Sequence, residues 1–242
     1  MDRDNYEVID RFEGSEYNPN IEIVLKKYDD RPIKALFVNE VCQSGMWLDP
    51  MVRGEATLHY SRRLRECVHI YFDEKKPKNM LVIGGAGFEI AKYLLRDYPT
   101  ARLTVVEIDP VMLEAAKAHF YLDEMMEFGR LTVINDDGFN FMEETDEIFD
   151  LVVNDAFLGG IKADTNMLTD LAAEAVHRIL SDDGLYVINL IAALEGSDSF
   201  TFLMERDMLL RYYDAIRVYP TYPDMEADKH QNLIVAAFEK KV

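Results

Sequence analysis

Four apolar segments of the chain each end in glycine or in an acidic residue, and this pattern constrains the fold more than any other feature. The segments are MLVIGGAG (80–87), RLTVVEID (102–109), RLTVIND (130–136) and DLVVNDAF (150–157). Helix candidates separate them, and strands that alternate with helices predict βαβ units and a parallel sheet. Ligands of open parallel sheets bind beyond the carboxyl ends of the strands. A site is therefore predicted where these segments end, at Gly84, Gly85, Glu107, Asp109, Asp136, Asp137 and Asp155.

Charge and proline at 74–78 mark a boundary between two parts of the chain. Residues 1–76 are expected to form a β-hairpin over 21–28 and 33–39, followed by a helix over 55–72. Residues 77–242 are expected to form one larger domain that contains the site. Its predicted helices cover 88–97, 110–120, 138–145, 167–180 and 198–213, and its fifth strand covers 184–190.

Two strand candidates at 215–220 and 232–240 close the chain with no helix between them. They predict an antiparallel hairpin. Class I methyltransferase-like folds add such a hairpin, whereas dinucleotide-binding folds usually lack it. The predicted fold is therefore α/β, with a mostly parallel, Rossmann-like class I methyltransferase sheet, a C-terminal antiparallel hairpin and a short N-terminal β segment.

Composition favours a small ligand inside the cell. The formal net charge of −19 opposes binding to a phosphate backbone and favours a small cationic or zwitterionic ligand. The start of the chain is charged where a secretory signal needs apolar residues, and no apolar run is long enough to cross a bilayer. We therefore expect a cytoplasmic protein with no membrane or nucleic-acid partner. Cys42 and Cys67 show no CxxC spacing and are expected to be reduced. The histidines show no metal-ligand spacing, so no metal is expected.

The glycine turn and the next two strand ends predict a nucleoside site. A GxGxxG match anchored on Gly85 and Gly87 is imperfect, and a tight turn without a ligand is the alternative. Glu107 ends the following strand, where a carboxylate can accept hydrogen bonds from both ribose hydroxyls of NAD or of an S-adenosyl nucleoside. Asp136 and Asp137 lie beside the expected adenine and could accept its amino group. Helix N-capping is the alternative role of either aspartate.

Asp155 ends the fourth strand, beside the glycine turn in the expected strand order. A carboxylate at this position could bind an amine or remove its proton, because an attacking nitrogen must be neutral. The alternative is a strand-end acid that is solvated or caps a turn at Gly159 and Gly160.

The motifs of the chain resemble those of spermidine synthases and their bacterial spermidine synthase-like relatives, in the same order. The resemblance begins near Phe37 and continues to the C-terminus. The motifs are QSGMWLDP (43–50), HYSR (59–62), LVIGGAG (81–87), VVEIDP (105–110), INDDGFNF (134–141), VVNDAF (152–157), VINL (187–190) and PTYP (220–223).

The resemblance implies roles for individual residues. The S-adenosyl nucleoside would be held by Gln43, Gly84, Gly85, Gly87, Glu107, Ile108, Asp136, Asp137 and Gly138. Asp155 would orient and deprotonate the acceptor amine, with Tyr60 beside it in the catalytic site. Tyr60 and Tyr222 would line the acceptor side together with Asp155.

The chain departs from the family pattern at the contacts to the aminopropyl group and the acceptor. The glycine turn reads GGAGFE where aminopropyltransferases carry GGGDGG, so Gly87 replaces an aspartate and Glu89 is out of register. The helix before the domain carries Tyr60, Ser61 and Arg62 where the family has Tyr-His-Glu. Arg62 is expected to reverse the sign of the charge near the acceptor.

Three functional hypotheses stay open, and the resemblance favours the first of them. The first is transfer of an aminopropyl group from decarboxylated S-adenosylmethionine to a small-molecule amine acceptor. The second is methyl transfer from S-adenosylmethionine, and the third is a non-catalytic nucleoside-binding or assembly module. The sequence leaves the acceptor and the oligomeric state open, with a homodimer as one option.

Overall fold

A computed structural model describes residues 6–158 and 162–241. Its N-terminal part is an antiparallel sheet of four strands in sequential order, β1 (Tyr6–Phe12), β2 (Ile21–Tyr28), β3 (Arg31–Val38) and β4 (Val41–Trp47). The predicted hairpin corresponds to β2 and β3, whereas β1 and β4 were not predicted. Strand β4 has the sequence VCQSGMW, whose polar and glycine residues resemble a loop until a neighbouring strand pairs with them.

A second sheet of seven strands forms the main body of the protein. Its strands are β5 (Asn79–Ile83), β6 (Arg102–Glu107), β7 (Leu131–Asn135), β8 (Phe149–Asn154), β11 (Leu180–Ala192), β12 (Tyr213–Pro220) and β13 (Gln231–Lys240). The order across the sheet is β12-β13-β11-β8-β5-β6-β7. Strands β11, β8, β5, β6 and β7 are parallel, and β13 and β12 extend the sheet as an antiparallel hairpin. The predicted α/β fold is therefore confirmed.

The register of the parallel strands brings the predicted site residues to one edge. Ile83 at the end of β5 pairs with Val106 of β6 on one side and with Asn154 of β8 on the other. Glu107 pairs with Asn135 at the end of β7. The residues that follow these strands therefore lie side by side at the carboxyl edge of the sheet.

Helices cover both faces of this sheet, which explains why its central strands are continuous apolar runs. They are α1 (His59–Tyr71), α2 (Glu89–Asp97), α3 (Pro110–His119), α4 (Leu122–Glu127), α5 (Gly138–Glu144), α6 (Asp170–Ile179) and α7 (Phe200–Leu209). Val82 packs on the side of α1 and α2, whereas its neighbour Leu81 packs on the side of α6. A short ribbon, β9 (Phe157–Leu158) and β10 (Lys162–Ala163), follows β8.

The predicted helices are present, but several of their boundaries differ. The helix predicted over 55–72 begins at His59, because the backbone amides just before it are bound by Glu89. The helix predicted from 167 begins at Asp170, after a 3-10 helix at Thr165–Leu168. The six-residue helix α4 was not predicted. No helix in the described ranges is both long and apolar enough to span a bilayer.

Candidate functional site

A cavity lies at the carboxyl edge of the seven-stranded sheet, with β4 and α1 on its other side. Its volume, counted to the open mouth, is about 940 Å³. Seven of the predicted site residues line it, namely Gln43, Tyr60, Gly84, Glu107, Ile108, Gly138 and Asp155.

The glycine turn after β5 brings the backbone of two strands together. Gly84 has φ = +94°, and a Cβ atom there would lie 2.5 Å from the carbonyl oxygen of Asp155. The Gly84 amide donates to Val106 O (2.9 Å), and the Asp155 amide donates to Ile83 O (2.9 Å). Only glycine tolerates both this φ and this contact. The turn therefore fixes Asp155 next to the start of the glycine loop.

Glu107 holds the glycine turn in place through its carboxylate. Its Oε2 accepts hydrogen bonds from the amides of Gly85 (2.7 Å) and Ala86 (3.0 Å), and its Oε1 accepts one from Asp109 (2.9 Å). Burial raises the pKa of Glu107, and the three amide donors oppose that rise. The side chain also lines the cavity, so the residue expected to bind the ribose also shapes the turn.

Asp137 adopts the role that was the alternative to adenine binding. Its Oδ1 accepts hydrogen bonds from the amides of Phe139 (2.8 Å) and Asn140 (3.1 Å), and so it caps α5. Asp136 accepts a hydrogen bond from the amide of Asp137 (2.7 Å). Among Asp136, Asp137 and Gly138, only Gly138 lines the cavity. Adenine binding by either aspartate stays a prediction.

Asp155 is held by two side chains from different parts of the chain. Asn189 of β11 donates from Nδ2 to Asp155 Oδ1 (2.7 Å), and the Tyr60 hydroxyl of α1 donates to Oδ2 (3.2 Å). Asn232 of β13 in turn donates to Asn189 Oδ1 (3.0 Å). These bonds orient both oxygens of the carboxyl group inside the cavity.

The pKa of Asp155 is raised to about 7. Burial is the largest cause, the nearby charge of Glu89 adds to it, and the hydrogen bonds from Asn189 and Tyr60 oppose it. A carboxylate with such a pKa can accept a proton near neutral pH, as a general base must. Burial also raises the pKa of Tyr60, which therefore stays a hydrogen-bond donor.

Tyr222 and Arg62 are not among the described residues that line the cavity. The Tyr222 hydroxyl is 2.9 Å from Nδ1 of His59, and the side chain is half exposed. Arg62 forms an ion pair with Asp29 (2.6 Å). Arg62 is therefore ion-paired outside the described lining of this cavity, and its effect on the acceptor stays a prediction.

Glu89 is buried and cannot replace the aspartate that Gly87 lacks. Oε1 accepts hydrogen bonds from the amides of Thr57 (2.5 Å) and Leu58 (2.9 Å) and from the Ser61 hydroxyl. Oε2 accepts a bond from the amide of Gly45 (2.7 Å). The carboxylate therefore joins α2 to β4 and to the start of α1.

Gly87 also has no room for a side chain. A Cβ atom would lie 2.7 Å from Cβ of Ser44 and 3.3 Å from the ring of Phe120. The Gly87 amide donates to Ser44 Oγ (3.1 Å). The space that an aspartate needs is therefore filled by neighbouring side chains.

Four polar residues of the cavity were missed in the sequence: Asn18, Asn189, Asn232 and Asp164. Asn189 carries a detectable signal, because it is a polar residue within the apolar run VINL near the carboxyl end of β11. Asn232 carries a similar signal, because it is the polar residue at the start of NLIVAAF within β13. Asp164 gives no such signal, and its side chain caps the 3-10 helix that follows it.

The chemistry of the cavity fits an adenosyl sulfonium donor. Its acids are Glu107, Asp155 and Asp164, and no lysine or arginine is among its described lining residues. Acidic oxygens suit a positively charged sulfonium, whereas a pyrophosphate group would need cations or a free helix N-terminus. Apolar residues form the remaining wall, including Ile83, Val106, Ile108 and Met112. No group of three or more potential metal ligands occurs within 6–158 and 162–241.

Known sequences and structures agree with this geometry. The family described as "Spermine/spermidine synthase domain" matches residues 60–228. A Drosophila melanogaster protein named eEF1A lysine and N-terminal methyltransferase homolog is 28% identical over 163 residues, which are 64% of this chain and 22% of that protein. A polyamine aminopropyltransferase of Buchnera aphidicola is 29% identical over 152 residues, 60% of this chain and 52% of that enzyme. The chain thus spans about half, or less, of the length of these curated relatives.

Solved structures establish the same fold. A probable spermidine synthase from Corynebacterium glutamicum superposes with a TM-score of 0.78 and 21% identity, covering 98% of this chain and 82% of that one. A spermidine synthase in complex with the transition-state analogue AdoDATO gives a TM-score of 0.70 at 16% identity, covering 96% and 74%. Human methyltransferase-like protein 13 in complex with SAH gives 0.52 at 19% identity, covering 76% and 82%.

Proposed function

Because the chain belongs to the spermine/spermidine synthase family, we propose that it transfers an aminopropyl group from decarboxylated S-adenosylmethionine to a small amine. The observation that carries this proposal is the position of Asp155. Its carboxyl group is oriented by Asn189 and Tyr60, faces the cavity and has a pKa of about 7.

The proposed reaction is a displacement at a carbon bonded to a sulfonium. The nitrogen lone pair forms the new C–N bond, the C–S bond breaks with its electron pair going to sulfur, and methylthioadenosine leaves. Asp155 accepts the proton that the amine gives up, so the attacking nitrogen is neutral. Much of the rate in such a reaction comes from holding the two reactants in line. Glu107 and the apolar wall position the nucleoside, and Asp155 positions the amine.

One observation favours methyl transfer from S-adenosylmethionine as a second candidate. An aminopropyl ammonium group needs the carboxylate that aminopropyltransferases carry at position 87, and neither Gly87 nor the nearby Glu89 can supply it. Gly87 is packed against Ser44 and Phe120, and the carboxylate of Glu89 already accepts four hydrogen bonds elsewhere. The methyltransferase relatives support the same reading.

Calorimetric titration with S-adenosylmethionine, its decarboxylated form, methylthioadenosine and NAD tests the proposed donor class. We expect the adenosyl sulfur compounds to bind more tightly than NAD. Mass spectrometry of an amine acceptor then distinguishes the two candidates, because the product gains an aminopropyl or a methyl group. Binding without turnover of any donor would favour a non-catalytic module. Tighter binding of NAD would contradict the assignment.

Glu107→Ala is expected to weaken methylthioadenosine binding by about tenfold or more, because a charge-assisted hydrogen bond to the ribose is lost. Glu107→Gln keeps the size of the side chain and separates loss of charge from loss of packing. Thermal unfolding of both variants shows whether the glycine turn remains folded. A folded Glu107→Ala protein that binds with unchanged affinity would exclude the ribose role.

With putrescine and decarboxylated S-adenosylmethionine, we expect weak spermidine synthesis. The reason is the missing carboxylate at Gly87, since a protonated amine left without a charged partner in a buried site loses affinity strongly. We expect the apparent affinity for the pair of substrates to be about a hundredfold lower than with an aspartate in place. Steady-state rates across concentration series of decarboxylated S-adenosylmethionine and of putrescine measure this. Efficient turnover at micromolar putrescine would contradict it.

A further inference from the structure

A second cavity lies on the outer side of α2, between that helix and α4, and it is basic in a strongly acidic chain. Its volume is about 690 Å³ to its open mouth. The lining residues are Arg53, Gly54, Lys92, Leu95, Arg96, Tyr121, Met125, Phe128 and Arg130. Four of these described residues are basic and none is acidic, although the whole chain has a net charge of −19. Such a local reversal of sign needs a physical explanation.

Arg53 supplies an unsatisfied donor at this cavity. Its guanidinium lies over the ring of Tyr121, 4.1 Å from the ring centroid. Its Nε is buried and has no hydrogen-bond partner in the described part of the chain. Buried polar groups are normally paired, so an orphan donor beside a cavity indicates a missing acceptor.

The neighbouring cations are positioned, and most of them are bound to carbonyl oxygens. Lys92 donates from Nζ to the Gly87 carbonyl (2.5 Å). Arg130 donates to the carbonyls of Leu95, Tyr98 and Ala101. These bonds fix the side chains without cancelling their charges. Among these four described residues, Arg96 is the one that contacts carboxylates, at 3.3 Å to Asp97 and 3.4 Å to Glu55.

Arg53 also acts on the lysines around it. Burial lowers the pKa of Lys92 to about 7, the charge of Glu89 opposes that shift, and the charge of Arg53 adds to it. The pKa of Lys34, which lies outside the cavity lining, is lowered by burial and by the same guanidinium. Arg53 therefore disfavours the charged form of Lys92, and an anion bound beside both groups would relieve that repulsion.

The rest of the wall is apolar and aromatic. Phe128 is 78% exposed at the mouth, and Leu95, Met125 and the Tyr121 ring lie beside it. An inorganic anion would pair with the basic side chains but would leave the apolar and aromatic side chains exposed to water. We propose that this cavity binds a small amphipathic organic anion, whose acidic head group contacts Arg53 and Lys92 and whose aromatic or apolar body packs on Tyr121 and Phe128. This proposal does not depend on the proposed transferase activity.

Titration calorimetry with 2-naphthoate, at fixed low salt, tests the proposal. We expect saturable binding, and at least about tenfold weaker binding to Arg53→Gln, because a charged hydrogen bond and an attraction are lost together. The neutral analogue 2-naphthalenemethanol is expected to bind at least about tenfold more weakly for the same reason. Arg102→Gln removes the same charge from the exposed start of β6 and is the matched control. Phe128→Ala should weaken binding, whereas Phe200→Ala, an exposed phenylalanine on α7, should not.

Competition with methylthioadenosine locates the bound naphthoate. Binding that persists at saturating methylthioadenosine supports the second cavity, and displacement overturns it. Absence of binding at millimolar naphthoate also overturns the proposal. Equal affinities of folded Arg53→Gln and the unaltered protein, or of the neutral and charged naphthalenes, would do the same. Thermal unfolding confirms that each variant is folded.

Discussion

Asp155→Asn is expected to lower the rate of transfer to an amine by about a hundredfold or more, the scale of a lost general base. Asparagine keeps the shape of the side chain and can still bond to Asn189 or Tyr60, but it cannot accept the proton. Affinity for methylthioadenosine should change little, because the proposed role of the carboxyl group is to contact the acceptor amine rather than the nucleoside. Single-turnover rates and calorimetry measure the two quantities separately.

The pH dependence of the rate gives an independent test of Asp155. Its pKa is raised to about 7, so the carboxyl group is protonated and inactive as a base below that pH. We therefore expect kcat/KM to rise as the pH increases through about 7, and this rise to be absent in Asp155→Asn. Asp214→Asn, which removes a charge from an exposed position in β12, is the control. An unchanged transfer rate in Asp155→Asn would show that the side chain has only a structural role at the end of β8.

Glu89→Ala is expected to lower the free energy of unfolding by about 3 to 5 kcal/mol, among the largest effects of a single substitution. The change leaves three backbone amides without an acceptor inside the protein, and it leaves the Ser61 hydroxyl with the Leu58 carbonyl as its acceptor. Each unsatisfied buried donor costs about 1 to 3 kcal/mol, and loss of the desolvated carboxylate offsets part of the sum. Urea unfolding at constant pH measures the difference.

Two further variants separate the causes of the expected loss of stability in Glu89→Ala. Ser61→Ala removes one of the four donors and is expected to cost about 1 kcal/mol. Glu143→Ala removes an exposed carboxylate from α5 and should change stability by less than about 0.5 kcal/mol. If Glu89→Ala were as mild as Glu143→Ala, the four hydrogen bonds would not be holding β4 and α1 to the main sheet.

The strand ends were predictable because their signal is local. Each apolar run ends where a glycine or an acid appears, and parallel strands must place those ends at one edge. Gly84, Glu107 and Asp155 were identified in this way, and all three line the observed cavity. The C-terminal hairpin was equally clear, because two strand patterns follow each other with no helix between them.

The features that could not be predicted from the sequence depend on contacts between segments that are distant in the chain. Asn189 is an ordinary polar residue until β11 lies beside β8 and brings it to Asp155. Glu89 sits at the start of a helix, where an acid is favourable for local reasons, so nothing in its neighbourhood reveals bonds to Gly45 and Thr57. The ion pair of Arg62 with Asp29 likewise joins two segments that are distant in the sequence, so the sequence did not reveal it.

The packing at Gly87 has an evolutionary consequence. A single substitution to aspartate would place the new side chain against Ser44 and Phe120, so it would be strained before it could contact a substrate. Introducing the aspartate of the GGGDGG pattern therefore requires compensating changes at positions that are far apart in the sequence. Such epistasis makes that motif hard to reach from the present glycine turn one mutation at a time. Selection for a new acceptor or donor would act more readily on the side chains that line the cavity than on the turn itself.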